Sequence, residues 1–234
     1  MLRTVKAGKE TIEYELIQTA RASLQLRALP DRLRLFAPKN YPLRQADQFV
    51  RDRADWIRQA RAQLDAYRDR EAERFPMTDG MSVPLEGRQW TLRLETAPRR
   101  SARFEDGVIL LRAPDISPDA VRGQLRDALI ERARARIEQR LAHYIPLIGR
   151  RPGRVTIREQ RTKWGSCSSK NNLNFNWKLI MAPPEALDYV VVHELCHLYE
   201  FNHSAKFWER MARYQPDYAV WRDFLRSGWA HPYN

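Results

Sequence analysis

Five residues near the C-terminal end of the chain, His193 to His197, read HELCH and match the pattern H-E-x-x-H. On an α-helix His193 and His197 lie one turn apart, so both imidazoles can reach the same metal ion. Glu194 lies beside that face, where its carboxylate can act on a metal-bound water without becoming a ligand. The pattern therefore predicts metal-assisted hydrolysis with Glu194 as general base. The competing interpretation is a buried helix whose two histidines only form internal hydrogen bonds.

A catalytic zinc usually takes three protein ligands and leaves a fourth position for water. His203, six residues after His197, is the natural third ligand. In an unbroken helix it would lie roughly 240° around the axis from His197, so the helix must end first. We expect the break at Phe201–Asn202, because asparagine tolerates a left-handed backbone. Glu200 is the competing third ligand. The expected cofactor is one Zn²⁺ per chain, held by His193, His197 and His203.

The other histidines and both cysteines lack this geometry. His143 and His231 are expected to be ordinary surface residues. Cys196 lies between the two histidines of the pattern and cannot easily bind the same ion together with both, so we expect a small buried thiol there. We expect the same role for Cys167. Two thiols in a chain of this size cannot build a disulfide framework and fit a reducing compartment.

The histidines need a buried helix to present them. Pro183 and Pro184 predict its start, because proline is tolerated in the first helical turn. The residues that follow are mostly apolar, as in an interior helix: Ala186, Leu187, Val190, Val191, Leu195 and Leu198. Ser204 is a suitable N-cap for a further helix through Phe207 and Trp208.

The segment before this helix has the alternation of short strands. Residues 154–160 and 171–177 each alternate apolar and polar side chains, and the Gly and Ser content of the residues between them is typical of a tight connection. This pattern predicts a hairpin directly upstream of the histidines.

A weak internal repeat organises the first 150 residues. Two short strand-like runs are followed by a proline-containing loop and a long amphipathic helix, and the same order occurs twice. The strand-like runs are 22–29, 33–38, 90–96 and 109–114, and the helical patterns run from Pro42 to about Arg74 and from Pro118 to near Pro146.

The segments with glycine and proline between these patterns predict three domains. Residues 1–76 would form an N-terminal strand-strand-helix unit, and residues 77–150 a second such unit that packs on the catalytic core. Residues 151–234 would form the core itself. The glycines and proline of residues 149–153 mark the second boundary.

The chain is strongly basic, with 41 Lys and Arg against 29 Asp and Glu and a formal charge of +12. Such a charge attracts polyanions, including nucleic acid. The basic residues are interleaved with acidic ones, however, which favours the solvated surface of arginine-rich helices. The N-terminal residues are charged throughout and no apolar run is long enough to span a membrane, so we expect a cytoplasmic protein without membrane partners.

The stretch RTKWGSCSSKNNLNFNWKLIMAPPEALDYVVVHELCHLYEFNHSAKFW, residues 161–208, resembles the YgjP-like zinc metallopeptidases, which are related to SprT-like and WLM metalloproteases. The resemblance implies an α+β fold with a minimal zincin-like core, in which the H-E-x-x-H helix and a small antiparallel sheet follow the two strand-strand-helix units. It also implies zinc on His193, His197 and His203, with Glu194 catalytic. Metzincins share the His197 to His203 spacing but have glycine where this chain has Glu200.

The function implied is that of a zinc metallopeptidase, an H-E-x-x-H endopeptidase that cleaves protein or peptide substrates with a zinc-bound water activated by Glu194. The strand LNFNW, residues 173–177, would border the cleft and pair with an extended substrate. Tyr199, Tyr218 and His231 are the candidates for stabilising the oxyanion. The alternative function is a nucleic-acid-associated module, either a SprT-like protease acting on DNA-bound proteins or a DNA-binding protein with structural zinc. The sequence does not specify an oligomeric state.

Overall fold

The computed structural model of this mixed α+β chain describes residues 1–20, 22–29, 31–160 and 162–227. The chain forms two compact units, the N-terminal unit of residues 1–75 and the C-terminal unit of residues 76–234. Within the described ranges, no helix has both the length and the hydropathy that crossing a membrane requires.

The N-terminal unit contains a four-stranded sheet followed by two helices. Its elements are β1 (Leu2–Ala7), β2 (Glu10–Thr19), β3 (Gln25–Ala28), β4 (Leu33–Pro38), α1 (Leu43–Arg51) and α2 (Ala54–Arg74). The strand order is β1-β2-β4-β3, with β2 and β4 parallel and the two outer pairs antiparallel. Alternate residues of β4 are buried, as the period of a strand with one covered face requires.

A polar cluster links the sheet of this unit to α1. Arg3 on β1 donates from Nε and Nη2 to the two carboxylate oxygens of Asp47, over 2.9 and 2.6 Å. The hydroxyl of Tyr14 donates to the same carboxylate over 2.8 Å, and its ring is buried in the core. These bonds hold Asp47 as a carboxylate and lower its pKa, with the Arg3 hydrogen bond the largest cause.

The C-terminal unit begins with a sheet of the same design. Its elements are β5 (Ser82–Leu85), β6 (Arg88–Thr96), β7 (Ser101–Glu105), β8 (Val108–Ala113) and the long helix α3 (Pro118–Ile148). The strand order β5-β6-β8-β7 and the strand directions repeat those of the first sheet. The repeat therefore extends to topology, but each copy has four strands where the sequence pattern predicts two.

Helix α3 is the support of the C-terminal unit. Pro118 occupies its first turn, and its apolar stripe is buried along the whole length: Val121, Leu125, Leu129, Ala133, Ile137 and Leu141. The helix continues past Pro146 and ends at Gly149, which takes the left-handed conformation with φ 80°.

The sheet beside the histidines corrects the predicted hairpin. It consists of β9 (Val155–Arg158), β10 (Gly165–Cys167) and β11 (Leu173–Asn176) in the order β10-β11-β9. β9 and β11, the two strands that the sequence pattern pairs as a hairpin, are parallel. The segment between them supplies β10, which is antiparallel to β11, so the sheet is mixed and not antiparallel. Alternation identifies a strand but does not fix its direction.

Three helices complete the C-terminal unit after a short 3₁₀ helix, Trp177–Met181. They are α4 (Pro184–Cys196), α5 (Ala205–Tyr214) and α6 (Tyr218–Arg226). α4 packs against α3, α5, α6 and β10, which explains why its residues are apolar on nearly every side. Arg140 on α3 forms a bidentate ion pair with Asp188 on α4, over 2.5 and 2.7 Å, and so fixes the two helices together.

Candidate metal centre

Helix α4 carries the H-E-x-x-H residues in its last turn. His193 and Glu194 lie inside the helix, and His197 is the residue that caps it. Val190, Val191 and Leu195 are buried among the surrounding helices and hold α4 in place. The two histidines therefore project from one face of a rigid element, as their spacing predicts.

The helix ends earlier than the predicted break at Phe201–Asn202. Its last residue is Cys196, and residues 197–199 form a turn. The end of α3 fixes this turn, because Arg150 donates to the carbonyl of Leu198 and the hydroxyl of Tyr199 donates to the carbonyl of Ile148 over 3.0 Å.

Asn202 does not take the left-handed backbone that the sequence analysis assigns to it. Its side-chain oxygen instead accepts the main-chain N–H of Ser204 over 3.3 Å, just before α5 begins at Ala205. The break before His203 thus results from tertiary contacts with α3, and the local residue type is not its cause.

The turn brings the three histidines together. The Nε2 atoms of His193 and His197 are 3.1 Å apart, and those of His193 and His203 are also 3.1 Å apart. All three potential ligand atoms lie within 4.8 Å of one another. Nitrogens that share one tetrahedral zinc at about 2.0–2.1 Å are separated by about 3.3 Å, so the cluster has the dimensions of a metal site.

Glu200, the competing ligand, contributes its main chain to this cluster. The Nδ1 atom of His197 lies 2.9 Å from the carbonyl oxygen of Glu200. A carbonyl only accepts, so Nδ1 must carry the proton and Nε2 must present its lone pair. The Nδ1 atom of His193 lies 3.4 Å from the hydroxyl of Tyr189, one turn earlier on α4. Such partners orient imidazoles that bind metals.

Two aromatic residues of α5 form the floor of the cluster. The ring of Phe207 is fully buried and its centroid lies 4.7–4.9 Å from those of all three imidazoles. The ring of Trp208 stacks on His203 at 5.5 Å with an interplanar angle of 26°. The amphipathic spacing predicts that this helix face is buried, but it carries no signal that the face supports the histidines.

The surroundings keep the three imidazoles neutral. Burial lowers the pKa of His193 to about 3, and the proximity of the ionisable groups His197 and His203 lowers it further. Burial also lowers the pKa of His197 and of His203. Neutral imidazoles are the form that binds a metal.

Glu194 is a buried carboxylate beside this cluster, with 4% of its surface exposed. Its Oε2 atom has no hydrogen-bond partner among the described residues. Burial raises the pKa of Glu194 to about 8, and the positive charge of Lys163 acts in the opposite direction. A buried, unpartnered carboxyl at a site open to water is a candidate acid or base.

Gly165 on β10 makes room for that carboxylate. A Cβ atom at this position would lie 2.5 Å from Oε1 and 2.7 Å from Cγ of Glu194, far inside normal contact. Only glycine therefore lets the strand approach the carboxylate so closely. In the sequence Gly165 falls in the predicted connection between two strands, whereas in the structure it lies in β10, where glycine is typical of a close approach.

The cysteines occupy separate environments. Cys196 is fully buried on α4, and burial raises the pKa of its thiol to about 12. Cys167 is partly buried, and burial raises the pKa of its thiol to about 11. Both thiols stay protonated at neutral pH, which agrees with packing roles. His143 is exposed and packs edge-on against Tyr144, with ring centroids 4.8 Å apart.

A cleft of about 380 Å³ opens beside His193, Glu194 and His203. The predicted oxyanion residues do not line it in the described part of the chain. The hydroxyl of Tyr199 donates to the carbonyl of Ile148 on α3, and the ring of Tyr218 stacks on the ring of Trp208 with the centroids 5.1 Å apart. His231 lies outside the described residues. The cleft instead receives Tyr189 from α4 and basic side chains from its walls.

The chain matches the family model of the YgjP-like metallopeptidase domain over residues 22–228. Among solved structures it is similar to the metallopeptidase zymogen abylysin of Pyrococcus abyssi, at 23% identity and a TM-score of 0.37, over 40% of this chain and 94% of that one. It is also similar to the zymogen jannalysin of Methanocaldococcus jannaschii, at 20% identity and a TM-score of 0.35, over 39% and 94%. No curated protein matches the chain.

Proposed function

The chain belongs to the YgjP-like metallopeptidase family, and we propose that it acts as a zinc-dependent endopeptidase on protein or peptide substrates. One observation carries the proposal. The Nε2 atoms of His193 and His203 converge to 3.1 Å beside the buried carboxylate of Glu194, whose Oε2 atom has no partner in the described part of the chain.

The donor set suits zinc. His193, His197 and His203 would hold one ion through neutral imidazole nitrogens, the ligands of many catalytic zinc sites. When bound, zinc supplies a Lewis acid that polarises the scissile carbonyl and makes water more acidic. The carbonyl of Glu200 and the hydroxyl of Tyr189 keep two of the imidazoles oriented before the ion arrives.

Glu194 is the proposed general base. Its carboxylate takes a proton from the attacking water and returns it to the leaving amine. Burial raises the pKa of Glu194, which makes its carboxylate a stronger proton acceptor than an exposed one. Gly165 keeps the carboxylate in place by allowing β10 to pack directly on it.

β10 is the proposed docking strand for the substrate. It is an edge strand of its sheet, and Gly165 at its start lines the cleft. Residues 173–177 are the predicted docking strand, but β11 lies in the middle of the sheet with both edges paired. An extended peptide can therefore add as a strand to the free edge of β10. β11 has no free edge to which a peptide could add.

The family match names a metallopeptidase domain and so favours the peptidase over the nucleic-acid-associated module. The test is hydrolysis of an unfolded protein by the zinc-loaded full chain. Glu194→Gln should keep the zinc and lose hydrolysis by about 10²-fold or more. Glu209→Gln, an exposed carboxylate on α5, is the matched control and should keep both. Equal hydrolysis by Glu194→Gln and wild type would refute the proposed base.

A further inference from the structure

The walls of the cleft carry an excess of positive charge. Three basic side chains line it, namely Lys163, Arg222 and Arg226. The carboxylate of Glu194 is the acidic group among the described lining residues, and it is buried at the base beside the histidines. A ligand that enters the cleft therefore meets basic groups before it reaches the proposed reacting residues.

The basic groups come from two different elements. Lys163 lies two residues before Gly165, next to the proposed docking strand β10. Arg222 and Arg226 lie one turn apart on α6, so both project from the same helix face. A chain bound between β10 and α6 would have positive charge on both sides.

These charges are largely available to a ligand. In the described ranges neither Lys163 nor Arg226 has an ion-pair partner, and both are exposed. Arg222 pairs through Nε with Asp223 over 2.9 Å, and its guanidinium lies 5.6 Å from the ring of Trp208. A guanidinium has five N–H donors, so this pair leaves its terminal nitrogens for another acceptor.

Resting on the proposed peptidase function, we propose that the cleft selects peptides that carry carboxylates next to the scissile bond. Charge complementarity of this kind sets specificity, because a basic peptide would meet like charges in the same place. The carboxylate can come from an acidic side chain or from the free C-terminus of the peptide, and the two sources present the same chemistry to Lys163 and Arg226.

Binding to the zinc-loaded Glu194→Gln protein tests this directly, because it needs no turnover. Three fluorescent peptides of one length are compared by anisotropy: one with Glu on both sides of the central bond, one with Gln there, and the Gln peptide with a free C-terminus. The first two are amidated. We expect the Glu peptide to bind about fivefold more tightly at low ionic strength, with the difference shrinking at high salt.

The basic residues should account for the difference. In the same background Lys163→Gln and Arg226→Gln should each reduce the preference by about half or more, and Arg226→Glu should abolish it. Arg103→Gln, which removes an exposed arginine on β7 outside the cleft, is the matched control and should leave it unchanged. The zinc content of each variant verifies that the site is intact.

Each result of the binding assay either supports or overturns the proposed preference for carboxylates. Tighter binding of the Glu peptide than of the Gln peptide shows that the carboxylate comes from a side chain. Tighter binding of the peptide with a free C-terminus alone shows that it comes from the chain end. Either result supports the proposal. Equal affinities for all three peptides would overturn it. Tighter binding of a short DNA duplex, lost in the same variants, would overturn the peptide as occupant. Hydrolysis by the wild type is scored separately: peptides cleaved equally well with Glu or Gln contradict the preference alone, whereas no cleavage contradicts the proposed peptidase.

Discussion

Replacing Gly165 by alanine tests how β10 and the H-E-x-x-H helix meet. An alanine Cβ would lie 2.5 Å from Oε1, 2.7 Å from Cγ and 2.9 Å from Cδ of Glu194. Ordinary contacts of a Cβ atom begin at 3.4 Å, so the carboxylate or the strand must move by about 0.9 Å. Glu194 is 4% exposed and its Oε2 atom is buried, so the carboxylate can move away from β10 only toward the cleft.

A displacement of this size has a predictable kinetic cost. Misplacing a catalytic group by about 1 Å can lower the rate about 10²-fold. We therefore expect Gly165→Ala to lower kcat/KM by about 10- to 100-fold, equivalent to about 1.4–2.7 kcal/mol of transition-state stabilisation. The zinc content should not change, because Gly165 contacts Glu194 and lies on a different element from the three histidines.

The assay is steady-state hydrolysis of a quenched fluorescent peptide together with elemental analysis of the purified variant. Gly123→Ala is the matched control, because its Cβ would have no neighbour within 4 Å and the residue lies inside α3. That control should keep full activity and gain about 0.5–1 kcal/mol of stability. Full activity of Gly165→Ala with an unchanged fold would refute the close packing of β10 on Glu194.

Three further predictions concern the supports of the site and the N-terminal unit. Tyr189→Phe should weaken zinc affinity by about tenfold in a chelator competition, because it removes the partner of His193 Nδ1, and unchanged affinity would show that the 3.4 Å contact does not orient the ring. Phe207→Ala should lower the free energy of unfolding by about 3–5 kcal/mol in urea titrations, and a loss below about 1 kcal/mol would contradict its place in the core. Asp47→Asn should destabilise the chain by about 1–2 kcal/mol at neutral pH. Because Arg3 lowers the Asp47 pKa, the ion pair contributes fully to stability above the ordinary value of 3.8, and this contribution is lost as the pH falls through the lowered pKa. The same difference in unfolding free energy between variant and wild type at neutral and strongly acidic pH would argue against the ion pair.

The grouping of the three histidines follows from sequence because it depends on local geometry. Positions four apart on a helix share a face, so His193 and His197 are predictable as a pair. The need for a break before His203 also follows from helix geometry. The position of the break does not, because Arg150 and Tyr199 fix it through contacts with the end of α3, and no local pattern encodes those contacts.

The supports of the site are less visible in the sequence. In the sequence, the position of Phe207 indicates only that one face of α5 is buried. Its contact with three imidazoles depends on how α5 packs on α4. The sheet shows the same limit, because the alternation of residues 155–158 and 173–176 gives two strands but not their parallel pairing. Each four-stranded sheet also contains strands that the sequence pattern misses, among them the outer strands β1 and β5. β1 carries Arg3 and Lys6, and β5 contains Pro84, which removes a backbone donor.

The measurement that tests the central claim most directly is the zinc content of the full chain and of two single variants by elemental analysis. The three-histidine site predicts about one zinc per chain in the wild type, a zinc content near zero in His203→Ala, and an unchanged content in Glu200→Ala, because Glu200 supplies only its main-chain carbonyl. Zinc retained by His203→Ala and lost from Glu200→Ala would contradict the account and assign the third ligand to Glu200.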